Sequence, residues 1–162
     1  MFGLTTLGIV HTAFSLVALA SGFAALVRYK EISPNDRLGQ VYLAATLVTA
    51  ATALGIFRHG GFGPPHMLAI LTLLALAVGV IAGTTQVFGR ASRYVQAVSL
   101  SSTFLFHLIP GFTEALTRLP PGAPVLPSAA APEFKTIYAV LTAIFCAGLF
   151  LQLRWLRSRR AA

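Results

Sequence analysis

Five apolar blocks, at residues 2–27, 38–57, 67–88, 94–117 and 136–153, divide this chain, and almost no charge interrupts them. Each is close to the roughly 20 residues that an α-helix needs to cross a bilayer core. Together they take up most of the 162 residues and leave only short connections, without room for a separate soluble domain. The charge content agrees: 10% of the residues are charged, where a soluble domain carries about 25%. A segment surrounded by lipid must satisfy its own backbone hydrogen bonds, so the blocks are read as helices. The expected fold is all-α, a polytopic transmembrane bundle of five spans. Residues 1–118 form a four-helix core, 119–135 a Pro-rich outer loop, and 136–162 a fifth transmembrane helix with a basic tail.

The net charge of +8 sits in the connections. Arg28, Lys30, Arg37, Arg90, Arg93, Arg154, Arg157, Arg159 and Arg160 fall on one side of the alternating blocks. Only Arg58, Arg118 and Lys135 fall on the other. The richer side is expected to be cytoplasmic, which puts the N-terminus outside and the C-terminus inside. The basic excess is an orientation signal, and no nucleic acid is expected as a partner. The bilayer is the partner, and the tail around Trp155 suits anionic lipid headgroups. The start lacks a basic leader and its first apolar block is too long for a signal-peptide core, so no processing signal is expected. Cys146 is a lone cysteine, which excludes a disulfide framework and reads as a packed apolar thiol.

The connections suggest how the helices pack. Residues 28–37 carry a Pro34-Asn35 turn and Asp36, placed to cap the second helix. In the 58–66 loop, Pro64 and Pro65 are suited to open the third helix. Residues 89–93 make a tight turn, so helices one to four are antiparallel neighbours. The prolines at 120, 121, 124, 127 and 132 make the last outer segment extended and place the fifth helix at the periphery. Gly79 with Gly83, and Ala18 with Gly22, are small-residue pairs that permit close helix approach.

The fourth block carries the strongest internal signal. At 100° per residue, Gln96, Ser99, Thr103, His107, Glu114 and Arg118 fall in one stripe about 100° wide. Lipid cannot satisfy such groups, so the stripe faces protein or a wet cavity. Interhelical hydrogen bonding alone would account for Gln96, Ser99 and Thr103. Glu114 is costlier to place in a span, and Arg118 one turn on is a partner for it. Pro110 shares this face and is expected to kink the helix beside His107. His11 lies on a face of the first span with Gly8, Ser15, Ala18 and Gly22. Counted from the outer ends, His11 and His107 lie at depths of about 14 and 16 Å. His59 and His66 fall at the outer surface.

Two imidazoles at equal depth on facing helices suit the axial ligands of a haem b, with Arg58 or Arg118 meeting its propionates. That reading implies electron transfer in an outer-facing pocket, with quinone as a partner. A second reading takes His11, His66, His107 and Glu114 as ligands for a transition metal, zinc or copper, and with one open position a membrane-embedded hydrolase. A third is non-catalytic: an accessory or assembly subunit whose stripe binds a partner membrane subunit. No ligand spacing of the HExxH kind chooses among them.

The segments HTAFSLVALASG (11–22), GGFGPPH (60–66) and HLIPGFTEALTRLP (107–120) resemble the signature segments of a family of small bacterial inner-membrane proteins of unknown function. The resemblance covers most of residues 4–120. It implies a bacterial inner-membrane location and four or five helices, and it brings no activity. The layout also resembles cytochrome b-type four-helix bundles, although the paired-histidine spacing for two haems is missing and at most one haem fits.

Overall fold

The computed structural model describes residues 5–57 and 61–161. It consists of α1 (Thr6–Tyr29), α2 (Arg37–Ala53), α3 (Pro64–Thr84), a single 3-10 turn (Gly89–Ala91), α4 (Ser92–Arg118) and α5 (Glu133–Ala161). No strand occurs among the described residues. Local chemistry accounts for the helix ends. Thr5 caps α1 by accepting the Gly8 N–H at 3.1 Å, and Asp36 caps α2 by accepting the Gly39 N–H at 2.7 Å, as its position in the sequence suggests. Pro64 and Pro65 occupy the first turn of α3, where a missing N–H costs nothing. Lys30 ends α1 in the left-handed region at φ 65°, returning its N–H to the Leu26 carbonyl.

Four helices, α1, α3, α4 and α5, are long and apolar enough to cross a membrane. At 17 residues α2 is shorter than that, about 25 Å at 1.5 Å per residue against a core of about 30 Å. The apolar block from which it derives runs on to Phe57, but the helix stops at Ala53 and a turn follows at Leu54 and Gly55.

Residue size is sorted from the inside out. The buried interior is rich in Ala18, Ala25, Ala45, Ala50, Ala82 and Ala97, whereas Leu16, Phe23, Leu74, Ile144 and Leu151 stand more than half exposed. In lipid, large apolar side chains have no reason to turn inward, and small ones let helices close up. The glycines show how tightly. A Cβ on Gly22 would lie 2.7 Å from the Tyr42 ring of α2, and one on Gly79 would lie 2.4 Å from Leu100 of α4. Gly83 meets Gln96 and Pro34 just as closely.

Packing is uneven. Helix α1 runs along α2 and α3 along α4, α2 meets α3 less extensively, and α1 and α4 touch at few points. The bundle core is therefore two helix hairpins, α1/α2 and α3/α4, with α5 outside against α4. The 30–36 connection fastens the hairpins at one end. Glu31 pairs with Arg93 at 2.8 Å, Asn35 Nδ2 donates to the Gly83 carbonyl, and Gln96 Nε2 donates to the Ile32 carbonyl at 3.0 Å. Ile32 itself is fully buried. Helix α5 is fastened through Gln152, which accepts from the Ser101 hydroxyl at 2.9 Å and donates to the Lys30 carbonyl at 2.8 Å.

Candidate functional site

Where the hairpins separate, a cavity of about 400 Å³ lies between α1, α2, α3 and α4. His11, His107, Glu114 and Arg118 all line it, so four of the residues singled out by the sequence share one space. Its walls are buried where α2 and α3 contribute Thr49, Ala50, Ala69 and Thr72. They are exposed where α1 and α4 contribute Thr12, Leu16, Glu114 and Ala115. The mouth therefore lies on the α1–α4 side, along the flank of the bundle.

His11 is oriented by α2. Its Nδ1 lies 3.0 Å from the Thr49 carbonyl and 3.3 Å from the Thr52 hydroxyl. A carbonyl only accepts, so Nδ1 carries the proton and Nε2 keeps the lone pair. That Nε2 has no hydrogen-bond partner among the described residues. His107 is held differently: its Nε2 lies 3.1 Å from the Thr46 hydroxyl of α2, inside the bundle, leaving Nδ1 without a partner among the described residues. The Tyr42 ring packs edge-on against His107, and the Tyr42 hydroxyl lies 2.6 Å from Thr103 Oγ1. Thr103 in turn gives its proton to the Leu100 carbonyl, so Tyr42 is the donor. At the rim, Arg118 pairs with Glu114 one turn earlier on α4. The Thr49 hydroxyl is enclosed in the bundle and has no hydrogen-bond partner among the described residues.

The polar stripe of α4 thus divides. Gln96 and Thr103 make hydrogen bonds within the bundle, and Ser99 lies against Gly79 of α3. His107, Glu114 and Arg118 reach the cavity. Pro110 lies on the cavity wall, and α4 runs continuously through it. His66 does not join the cavity. It caps α3 by accepting the Gly63 N–H and is sandwiched between Phe57 and Phe62 at 4.6 and 5.2 Å. Arg58 and His59 lie outside the described residues.

A metal or haem can be tested against these donors. No three His, Cys, Asp or Glu side chains among the described residues come together to hold a metal ion. For haem b, His11 is arranged as an axial ligand should be, with Nδ1–H on a carbonyl and Nε2 free. His107 is not its match, because its Nε2 is engaged by Thr46. A bis-histidine haem does not fit the site as it stands.

Sequence reasoning passed over the α2 contribution. Tyr42, Thr46 and Thr49 follow an i, i+4, i+7 pattern and are all buried. That helical spacing of polar side chains was the signal available. Compared with family models, curated proteins and solved structures, the chain matches none. Fold and site together define a helical bundle with membrane-length helices around a polar-tipped cavity.

Proposed function

We propose that this chain is a membrane-spanning binding protein for a lipid-soluble ligand with a quinone-type headgroup. Its setting would be the bacterial inner membrane, with the N-terminus outside and the C-terminus cytoplasmic, the orientation favoured by nine basic residues on one side against three on the other. One observation carries the reading. Two ring nitrogens without a hydrogen-bond partner among the described residues, His11 Nε2 and His107 Nδ1, belong to residues lining one mainly apolar cavity. Unpaired polar groups in such a place call for a polar occupant. The mouth between α1 and α4 faces the flank of the bundle, where an apolar tail would lie in lipid.

The chain supplies hydrogen bonds to the headgroup. With its Nδ1–H fixed on the Thr49 carbonyl, His11 offers Nε2 as acceptor to a quinol hydroxyl. His107 adds a second polar group beside the ring, and the Glu114–Arg118 pair stands at the rim.

The test is solvent extraction of the detergent-purified protein, followed by rebinding of a short-tailed benzoquinol, kept reduced under anaerobic conditions, measured by equilibrium dialysis. Near-stoichiometric binding is expected, weakened about tenfold in His11→Ala, the loss equivalent to one good hydrogen bond. Absence of binding would sink the reading. A Soret band lost in His11→Ala would put haem in its place. A colourless preparation free of metal and quinone would favour the accessory-subunit reading, to be followed by co-purification.

A further inference from the structure

A second groove, of about 610 Å³, runs between α1, α4 and α5, separate from the histidine cavity. Its walls are almost wholly apolar, with Phe23, Phe104 and Phe145 among them, and it ends at Lys30, Gln152 and Trp155. From Leu141 to Trp155 it follows α5 for about 21 Å, more than the ~15 Å depth of one hydrocarbon leaflet. Gly148 lies on the groove, in the middle of a helix where glycine is disfavoured by about 1 kcal/mol relative to alanine. Glycine in a membrane helix ordinarily serves close packing, yet nothing lies within 4 Å of the place a Cβ would take. The space is kept open, and no side chain among the described residues fills it.

The end of the groove is cationic. Lys30 spends one of its three donors on the Val27 carbonyl and has no carboxylate partner among the described residues. Arg93 and Arg159 place their guanidinium groups 5.7 and 5.1 Å from the Trp155 ring centroid. Glu31 neutralises Arg93, while Arg159 has no carboxylate partner among the described residues. An apolar channel of acyl-chain length closed by unneutralised cations and an interfacial tryptophan is complementary to one kind of molecule.

We propose that this groove is a binding site for an anionic phospholipid, with an acyl chain along α5 past Gly148 and the phosphate at Lys30, beside Trp155 and Arg159. The site depends on the chain spanning a membrane and not on what occupies the histidine cavity. A bound lipid would act as a wedge that holds α5 against α1 and α4 at the end where Gln152 makes its two hydrogen bonds.

Trp155 is the sole tryptophan of the chain, which makes the site directly readable. The full chain is reconstituted in phosphatidylcholine vesicles containing a small mole fraction of acyl-brominated phosphatidylglycerol, or of acyl-brominated phosphatidylcholine. Quenching of Trp155 is expected at brominated phosphatidylglycerol levels where the zwitterionic lipid has little effect. Lys30→Gln should lower this preference about fivefold and Lys30→Arg should restore it, the change expected for one basic residue at an anionic surface. Gly148→Phe fills the open space without touching any charge and should reduce quenching by the anionic lipid as well. Equal quenching by the two lipids, or a preference untouched by Lys30→Gln and Gly148→Phe, would overturn the site. So would quenching by neither lipid together with α5–α5 cross-linking through the exposed Cys146, which would make the groove an interface between two copies.

Discussion

Thr46 and Thr49 stand one turn apart on α2 and have opposite relations to their surroundings. The Thr46 hydroxyl is paired with His107, whereas the Thr49 hydroxyl is buried and unpaired. Valine has nearly the same shape as threonine, so the two replacements separate hydrogen bonding from packing. Thr46→Val strands His107 Nε2 inside the bundle and should destabilise the protein by about 1–3 kcal/mol. Thr49→Val removes an unsatisfied group and should leave stability unchanged or raise it. Thermal unfolding of the detergent-solubilised variants measures both. A drop in stability for Thr49→Val without ligand would mean that its hydroxyl has a role in packing. Residue-level chemistry of this kind was only half legible in the sequence. His107, Glu114 and Arg118 announce themselves by sharing a face of an otherwise apolar helix. The nitrogen that His107 offers depends on Thr46, 61 residues away, and no spacing along α4 contains that information.

At the scale of elements, apolar block length and cap chemistry mark the helices well, because both are local. Asp36 is an example: one side chain and the next turn of backbone decide where α2 begins. Its far end was less legible. Hydropathy continues to Phe57, but the helix stops at Ala53, which leaves α2 shorter than α1, α3, α4 and α5. Gly39 explains why the start of α2 is fixed: a Cβ there would lie 1.8 Å from the Ser33 carbonyl oxygen. Gly39→Ala should therefore disrupt the 33–39 turn, and a loss of at least the 1–3 kcal/mol typical of overpacking is expected in chemical denaturation. Helix α5 offers a contrast, because it is largely exposed and meets the bundle through polar contacts at two places, Gln152 and the Tyr138 hydroxyl, which donates to Thr113 Oγ1 at 2.6 Å. Gln152→Leu keeps the apolar volume and removes both hydrogen bonds. Amide exchange along the Gln152 end of α5 should rise relative to α1–α4, and an unchanged exchange pattern would show that the two Gln152 hydrogen bonds do not hold α5 in place.

Seen whole, the molecule follows a composition rule that the sequence displays openly: small residues inside, large apolar residues outside, charge at the ends. The rule fixes the class of fold without fixing the pairing of helices, since four antiparallel apolar helices can pack in several ways. Gly22 against Tyr42 and Gly79 against Leu100 settle that pairing through close approach. Reporter fusions test the orientation. A periplasmic reporter should be active at the N-terminus and a cytoplasmic one at the C-terminus, and the reverse pattern would overturn the proposed orientation. The two hairpins are tied at the 30–36 end and part company along α1 and α4. Such a shape is fastened at one end and open at the other. If the proposed membrane setting holds, a molecule arriving sideways would meet the open seam without passing through water. Its occupancy would then follow its abundance in the bilayer, so a sparingly water-soluble compound would saturate this seam at total amounts that a water-facing cleft would barely register.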